Sequence, residues 1–398
     1  MALLAFDAAL ELLLQHAEQR GHTSSRLLPT TECDGKILAS PVVAGLTLPP
    51  WPNSAMDGYA VRSSEVVPGQ PLPISQKIFA GQMPQPLASG TCARIFTGAP
   101  LPAGADAVEM QENVSPQNNL ALFSQPVASG RFVRPAGSEA QPGQEKLAAG
   151  MRLGPVELAL AASLGVTSLE VHQPLRVAVL STGDELIEPG QPLQAGQIYN
   201  SNRQLLHHWL RRLGCRVVDL GCLPDVPQRI AACLEQLQDV DLLVTTGGVS
   251  VGEADYLGQL VHAQAEVHFD KLALKPGKPM TFASFKNMDF LGLPGNPAST
   301  LVTFGMLARP YILRRMGQRE VMPHSFAVPV DFSVELPGSR REFLRARLQD
   351  GLARRHGNQS SGILGSAVWA DGLLELPAGT VCQSGDQLAF YPFSELLC

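Results

Sequence analysis

The alternation of strands and helices between about residues 175 and 318 is the feature that most constrains the fold of this 398-residue chain. Leu175–Leu180 (LRVAVL) is a continuous apolar run, which is typical of a strand buried on both faces of a sheet. Asn200-Ser201 predicts a helix start and Gly214 its end. The alternation continues with strands near Cys215–Leu220, Asp241–Thr245 and Met288–Leu293, and with helices near Pro227–Leu237, after Asp255 and from Pro297 to Leu307. This order predicts an α/β fold with a doubly wound parallel sheet, whose ligand loops lie at the carboxyl ends of the strands.

The flanking segments have a different pattern. Residues 45–144 contain short β-like runs separated by Pro and Gly, whereas residues 150–170 return to helix and strand, so 45–144 is predicted to be an insertion in another domain. Residues 320–398 are again β-rich, with strands predicted near Ser325–Val334, Phe343–Leu348, Leu373–Leu376 and Gln387–Tyr391. Because a chain of this length exceeds what one hydrophobic core usually supports, we expect two or more domains.

Composition and charge exclude several classes of protein. A hydrophobic content of 45% with 17% charged residues is typical of a folded chain rather than a disordered one. The net charge of −6 argues against a general nucleic-acid-binding surface, which needs a basic excess. The seven cysteines form no CxxC pair, and no apolar stretch is long enough to span a membrane. Asp7 and Glu11 interrupt the apolar N-terminus, which therefore does not resemble a signal peptide. We expect a cytoplasmic protein with reduced thiols.

The lysines are few and unevenly placed. Only seven basic residues are lysine, and three of them, Lys271, Lys275 and Lys278, fall within eight residues. In an extended chain Lys271 and Lys275 share one face while the intervening leucines point to the core, and the Pro276-Gly277 turn then presents Lys278. Three ammonium groups in one loop suit a multiply charged oxyanion or a phosphate. The alternative is a solvated run of lysines.

Further loops at predicted strand ends carry polar groups. After the strand ending at Thr245, Gly247 and Gly248 let the backbone approach a ligand, and Ser250 and Asp255 follow. This segment is neither a P-loop nor a GxGxxG fingerprint, and a tight turn is the alternative interpretation.

Two more of these loops contain groups that could bind a metal or an anion. Asp184 and Glu185 follow the first strand and suit Mg²⁺ or water activation, with a helix cap as the alternative. Asn296 and Ser299 lie at a predicted helix start, where they could bind an anion or cap the helix.

Seven motifs together resemble one family in their order and spacing. They are MDGYAVR at 56–62, FTGAPLPAGADAV at 96–108, STGDEL at 181–186, GQIYNSN at 196–202, TTGGVSVGEADY at 245–256, KPGKP at 275–279 and LPGNPAS at 293–299. The chain resembles the molybdopterin molybdenumtransferase family, the MoeA and gephyrin E-domain type, over nearly its whole length.

The resemblance implies a cytosolic transferase of molybdenum cofactor biosynthesis. Such an enzyme inserts molybdate into adenylylated molybdopterin and releases AMP with Mg²⁺, so both molybdate and adenylylated molybdopterin are expected substrates. The family fold implies a homodimer of four-domain subunits. The expected domains are 1–44 with 145–174 (discontinuous α+β), 45–144 (inserted, β-rich), 175–319 (α/β, molybdopterin-binding) and 320–398 (C-terminal, β-barrel-like). A molybdopterin adenylyltransferase and molybdoenzyme maturation proteins are the expected partners, with no nucleic acid and no membrane.

The resemblance also implies roles for individual residues. The expected catalytic residues are Asp57, Thr97, Asp184, Glu185, Asp225, Asp255, Lys271, Lys275 and Lys278. The expected substrate-binding residues are Gly247, Gly248, Ser250, Asn296, Ser299, Arg340 and Ser361. Within these sets, the molybdate site is expected to comprise Lys275, Lys278, Ser299, Arg340 and Ser361. The expected Mg²⁺ ligands are Asp57, Asp184 and Asp255.

Two positions depart from the family pattern. The usual Gly-Glu-Asp turn reads Gly137-Ser138-Glu139, which weakens any role for Glu139. The usual Pro-Gly-Arg reads Pro337-Gly338-Ser339-Arg340-Arg341, so the oxyanion-binding arginine could be 340, 341 or 345. We favour Arg340, because it keeps the family spacing to Phe343 and Arg345.

Two other functions are compatible with parts of this pattern. A scaffold protein is one, since the gephyrin E domain also organises receptors. The intact lysine cluster and acidic loops, and the lack of a long disordered linker or a second α/β domain, argue against it. An adenylyltransferase that acts on ATP through the α/β domain alone is the other.

Overall fold

The computed structural model of the protein describes residues 3–248, 256–285 and 287–397. The chain forms two compact units. Unit 1 comprises Met1–Ala39, Gly150–Gly154 and Ser168–Cys398, and unit 2 comprises Ser40–Ala149 and Pro155–Thr167. The division into four domains stays a prediction.

Six strands form the central sheet of unit 1. They are β1 (Arg176–Thr182), β2 (Arg216–Leu223), β3 (Leu242–Thr246), β4 (Glu266–Lys271), β5 (Pro279–Phe285) and β6 (Met288–Leu293), in the spatial order β2-β1-β3-β6-β5-β4. The predicted parallel arrangement is confirmed for β2, β1, β3 and β6. The sequence analysis did not predict β4 and β5 as strands, and β5 runs antiparallel to β6 and β4. Only residues 286–287 connect β5 to β6, which is too short for the crossover that a parallel pair requires.

Helices alternate with these strands as predicted. They are α1 (Ser201–Arg212), α2 (Pro227–Gln236), α3 (Tyr256–Gln264), α4 (Pro297–Thr303) and α5 (Arg309–Arg315), with a π-helical turn (Phe304–Ala308) between the last two. Asn200 caps α1, because its side chain accepts a hydrogen bond from Arg203 N at 3.2 Å. Gly214 follows the helix with φ +91°, as expected of a helix-ending glycine.

The central sheet is buried on both faces, which explains why its first strand is apolar throughout. Val177 and Val179 pack with Trp209 of α1 in one core cluster, whereas Ala178 and Leu180 pack in a second cluster on the other face. Successive side chains of β1 therefore enter the two clusters in alternation.

The remainder of unit 1 is a set of smaller elements around this sheet. The N-terminal helix is Phe6–Arg20, and Ser25–Pro29 pairs antiparallel with Ser168–His172. Leu186–Ile187 pairs with Ile198–Tyr199, and Thr30–Glu32 is a 3₁₀ turn. The C-terminal sheet contains Phe326–Pro329, Arg341–Gln349, Leu352–Arg355, Gly372–Leu376 and Gln387–Pro392. A bridge between Val330 and Ala353 connects its two ends, as in a small barrel. The short helices Gly365–Trp369 and Phe393–Leu396 complete this part.

Unit 2 is β-rich, as predicted for residues 45–144. Its six-stranded sheet has the order Ala107–Met110, Gly58–Val61, Cys92–Ile95, Pro71–Ile78, Leu120–Phe123 and Val114–Gln117. Two further pairs are Asn53–Ser54 with Val133–Arg134 and Val42–Val43 with Glu145–Leu147. Pro155–Ser163 is a helix, and Ser63–Glu65 and Gln111–Asn113 are 3₁₀ turns.

Candidate active site

A polar cavity of about 630 Å³ lies at the carboxyl ends of the parallel strands. Thr182 ends β1, Thr246 ends β3, and Gly295 follows β6, so the loops after three neighbouring strands form its walls. The predicted residues on these walls are Glu185, Gly247 and Asn296. A parallel α/β sheet generally binds its ligand in this position, where successive loops diverge.

The two glycines after β3 are required by the close approach of their loop to β1. Gly247 and Gly248 have φ values of +80° and +64°. A Cβ atom on Gly247 would lie 2.9 Å from the Thr182 carbonyl oxygen, and one on Gly248 would lie 2.8 Å from Thr182 Oγ1. These glycines therefore combine a left-handed backbone with a contact that leaves no room for a side chain. The predicted residues Ser250 and Asp255 lie outside the described residues.

The acidic turn after β1 brings two predicted site residues together. Asp184 Oδ1 accepts a hydrogen bond from Asp225 N at 3.1 Å. No described helix begins at Asp184, so the helix-cap alternative is wrong. Glu185 is exposed, and its carboxylate folds back over Gly183, where a Cβ would lie 2.6 Å from Glu185 Oε2. The turn thus presents two exposed carboxylates, of which Glu185 lines the cavity.

The loop that carries Lys271, Lys275 and Lys278, called the lysine loop below, has the alternation of buried and exposed side chains that the sequence predicts. Leu272 and Leu274 are completely buried, whereas Lys275 and Lys278 are exposed. Leu274–Lys275 forms a short strand that pairs in parallel with Arg341–Gln349 of the C-terminal sheet. This pairing places Lys275 Nζ 2.9 Å from Glu342 Oε1. The ammonium group is therefore held by a carboxylate that the sequence analysis did not identify.

The turn between these lysines packs against α4. Gly277 has φ +120°, and a Cβ there would lie 2.5 Å from Thr303 Cγ2. Thr303 Oγ1 in turn donates to the Ser299 carbonyl at 2.8 Å. The lysine loop consequently lies beside the helix that carries Ser299, which is itself buried.

The start of α4 also contacts the C-terminal part of the chain. Ala298 N donates to the Ser361 carbonyl at 2.9 Å, so Ser361 lies against the first turn of the helix that contains Ser299. Asn296 precedes α4 but makes no side-chain capping bond, so the capping alternative is wrong for this residue.

The three candidate arginines have different surroundings. Arg340 Nη1 donates to the Leu274 carbonyl at 3.2 Å, which places its guanidinium at the base of the lysine loop. Arg341 makes two bonds of 2.7 Å to the Asp7 carboxylate and lies 3.2 Å from Glu375. Arg345 is completely buried. Of the three, Arg340 has the position that fits the predicted oxyanion site.

Unit 2 holds the remaining pair of predicted residues. Asp57 Oδ1 accepts hydrogen bonds from Thr97 N at 2.8 Å and from Thr97 Oγ1 at 2.9 Å. These bonds, the backbone one first and then the hydroxyl, lower the pKa of Asp57. Asp57 is therefore a carboxylate near neutral pH. The exposed Glu139 carboxylate lies 3.7 Å from Lys146 Nζ.

No group of three or more His, Cys, Asp and Glu side chains in the described part of the chain is arranged to hold a metal ion. Of the three expected Mg²⁺ ligands, Asp184 lies in unit 1 and Asp57 in unit 2, while Asp255 is outside the described residues. The six cysteines among the described residues form no disulfide.

Most of the cavity lining was not among the predicted site residues, and two asparagines of it make specific hydrogen bonds. Asn202 Nδ2 donates to the Gly295 carbonyl at 2.7 Å, which joins α1 to the loop after β6, and Asn200 caps α1. The signal was present in the GQIYNSN motif at 196–202, where Asn and Ser mark the start of α1.

Comparisons with known proteins identify the family. The MoeA N-terminal region (domain I and II) matches residues 4–165, a probable molybdopterin binding domain matches 178–314, and the MoeA C-terminal region (domain IV) matches 327–393. The chain is 37% identical over 386 residues to a molybdopterin molybdenumtransferase of Haemophilus influenzae, covering 94% of this chain and 95% of that protein. The chain belongs to the molybdopterin molybdenumtransferase (MoeA) family.

Other members of the MoeA family support this assignment. The molybdopterin molybdenumtransferase of Synechococcus elongatus is 38% identical, with coverage of 95% of this chain and 96% of that protein. The crystal structure of a molybdopterin biosynthesis MoeA protein from Pyrococcus horikosii has a TM-score of 0.75 and 30% identity, covering 98% of this chain and 99% of that one. The α/β fold with a C-terminal β domain is thereby confirmed. None of the described helices has the length and hydrophobicity that crossing a membrane requires.

Proposed function

We propose that the protein inserts molybdate into adenylylated molybdopterin and releases AMP, which completes the molybdenum cofactor. The observation that carries this proposal is the meeting of the lysine loop, Arg340 and Ser361 around α4, next to the polar cavity. The MoeA relatives with 37–38% identity over nearly the whole chain bear the name of this activity.

The cationic side chains suit an oxyanion substrate. Molybdate carries two negative charges, and Lys275, Lys278 and Arg340 would supply compensating positive charge. Ser299 and Ser361 would add hydrogen-bond donors. Because adenylylated molybdopterin is itself an anion, the lysines and the arginine would also reduce the repulsion between the two reactants. Holding both in one pocket would contribute much of the rate.

The acidic turn fits the Mg²⁺ that the family implies. Magnesium prefers carboxylate oxygens, and the exposed Asp184 and Glu185 are consecutive, with Glu185 lining the cavity. Asp225, Asp255 and, in unit 2, Asp57 would be the further acidic candidates. When bound, Mg²⁺ would polarise the phosphoanhydride that joins molybdopterin to AMP. The Asp57–Thr97 bonds would keep that carboxylate ionised for such a role.

The resemblance also supports a setting for this activity. We propose a cytoplasmic homodimer of four-domain subunits that receives its substrate from a molybdopterin adenylyltransferase and delivers cofactor to molybdoenzyme maturation proteins. Gly247, Gly248, Ser250 and Asn296 would hold the pterin substrate, and Lys271 would act beside the other two lysines.

Release of AMP tests the proposal. The purified protein would be given adenylylated molybdopterin and Mg²⁺, with and without molybdate, and AMP would be measured by chromatography. We expect AMP release that depends on molybdate. Absence of that dependence would overturn the proposal. Formation of adenylylated molybdopterin from ATP and molybdopterin in a parallel reaction would instead identify an adenylyltransferase.

A further inference from the structure

Arg345 is the largest completely buried side chain among the described residues. It lies in the strand Arg341–Gln349, and no carboxylate in the described part of the chain lies within ion-pair distance of it. Burial lowers the pKa of Arg345, and the nearby charge of Glu342 opposes this effect. Burying a guanidinium without a partner charge is costly unless hydrogen bonds satisfy its donors. The residues that accept these bonds therefore indicate what the arginine stabilises.

The guanidinium of Arg345 connects two neighbouring segments. Nη2 donates to the Ser360 carbonyl at 3.0 Å, and Nε donates to Ser366 Oγ at 3.1 Å. The backbone of Arg345 adds a second link, because its N–H donates to Gln359 Oε1 at 3.0 Å and its carbonyl accepts from Gln359 Nε2 at 2.9 Å. One residue thus holds both the 359–360 segment and the start of helix Gly365–Trp369.

The segment held by Arg345 continues directly into the candidate site. Ser361 follows Ser360, and its carbonyl accepts the hydrogen bond from Ala298 N of α4. Gly362 comes next and lines the 630 Å³ cavity, with its Cβ position 4.0 Å from Asn296 Oδ1. A displacement of the Ser360 carbonyl would therefore move the groups that face the start of α4.

We propose that Arg345 is a positioning residue for oxyanion binding, and that its planar guanidinium group fixes segment 359–362 so that Ser361 stays beside α4. This inference rests on the proposed function. Arg345 is completely buried and acts through Ser361. A guanidinium suits this task because its donors lie in one rigid plane and reach two acceptors at once, which a lysine ammonium cannot reproduce.

Arg347 offers a matched control on the same strand. Its Nε donates to the Trp369 carbonyl at 2.9 Å, and its guanidinium lies 4.8 Å from the Trp369 ring centre. Like Arg345 it binds helix Gly365–Trp369, but its contacts lie at the far end of that helix from Ser366. Arg345→Met and Arg347→Met therefore remove the same chemical group, and only the first removes the bond to Ser360.

Two measurements on the full-length protein test the proposal. The first is hydrogen exchange of the peptide covering 356–364, which needs no turnover. We expect Arg345→Met and Arg345→Lys to raise exchange there, and Arg347→Met to leave it unchanged. The second is steady-state AMP release, for which we expect a roughly tenfold higher KM for molybdate in Arg345→Met, with KM for adenylylated molybdopterin within about twofold of wild type.

The outcomes separate positioning from general stability. If Arg345→Met is folded and both exchange at 356–364 and KM for molybdate match wild type, the proposal is wrong. Equal increases in both KM values, with faster exchange across the whole C-terminal sheet, would also overturn it. If Arg345→Met does not fold, Ser366→Ala removes one acceptor of the guanidinium and is expected to give a smaller change in the same direction. If wild type releases no AMP, the proposed function is wrong. The molybdate affinities of wild type and the variants are then compared by calorimetry instead.

Discussion

Replacement of Asp289 by Asn tests how strongly one buried carboxylate stabilises unit 1. Asp289 lies in β6 and is completely buried. It accepts hydrogen bonds from five side chains on three segments: His16 Nε2 at 2.9 Å, Arg20 Nε at 3.1 Å, Arg315 Nη1 at 2.8 Å, Ser284 Oγ at 3.4 Å and the Tyr311 hydroxyl. The N-terminal helix and α5 are therefore both tied to the central sheet through this group.

The expected magnitude follows from the number of charged donors and from their burial. Asn offers one acceptor oxygen where Asp offers two, so at least one of Arg20 and Arg315 loses its charged hydrogen bond. Such bonds contribute about 1.5–3 kcal/mol each. Removing one partner from a buried ion pair costs about 3–5 kcal/mol, because the remaining charge is left without compensation. We expect Asp289→Asn to lower the free energy of unfolding by about 3–5 kcal/mol.

The pH dependence provides a second measure of the same group. Burial by itself would raise the pKa of Asp289, but hydrogen bonds from His16 and Tyr311 and the charge of Arg20 lower it below its ordinary value. A carboxyl whose pKa is lower in the folded state stabilises the fold above its unfolded pKa, about 3.9, and this contribution is lost as the pH falls through the folded value. The difference in the free energy of unfolding between wild type and Asp289→Asn should therefore become smaller below about pH 4.

Urea unfolding followed by tryptophan fluorescence and circular dichroism measures the effect, with Asp7→Asn as the control. Asp7 also pairs with an arginine, at 2.7 Å, but its side chain is 74% exposed. Exposed pairs contribute about 0–1 kcal/mol, so this variant should remain within that range of wild type. A decrease in the free energy of unfolding below about 1 kcal/mol for Asp289→Asn, or equal decreases for both variants, would refute the reasoning from burial.

Further expectations concern the lysine loop and the arginine beside it. Gly277→Ala introduces a Cβ at φ +120°, 2.5 Å from a buried methyl group of α4. It should cost about 1–3 kcal/mol in thermal unfolding, and an unchanged Tm would contradict the close packing. Lys278→Ala should raise KM for molybdate about tenfold or more. The control Lys77→Ala, at an exposed position in unit 2, should leave that KM unchanged. Equal KM values for the two variants would show that Lys278 is not part of the site. Arg340→Ala should raise KM for molybdate, measured by AMP release, more than Arg341→Ala does. A larger increase for Arg341→Ala would instead assign oxyanion binding to Arg341.

Local patterns in the sequence predicted most of the central elements. The apolar run at β1, the Asn200 cap and the Pro at the start of α4 depend on neighbouring residues, so periodicity and capping chemistry locate them. Leu352–Arg355 was missed as a strand, although Asp350-Gly351 before it is a strong hairpin signal. Asp350 and Gly351 have φ +53° and +77°, as a type I′ turn requires.

The candidate site was predicted as a set of residues, and its internal contacts were not. The sequence indicated a cationic loop from the spacing of Lys271, Lys275 and Lys278, and the motif resemblance indicated its chemistry. The Glu342 partner of Lys275 could not be predicted from spacing, because it depends on the parallel pairing of two distant strands. The roles of the predicted residues stay proposals until the variants are measured.

The sequence by itself determined the order of strands and helices, the turns that need glycine, and the concentration of positive charge in one loop. These properties depend on the backbone preferences and polarity of residues close together in the chain. Only the tertiary structure decided which side chains meet: it placed Arg340 beside the Leu274 carbonyl, paired Arg341 with Asp7, and buried Arg345 behind Ser360. Three arginines within six positions are nearly equivalent in sequence. Strand pairing and burial distinguish them, because these direct each guanidinium to different partners.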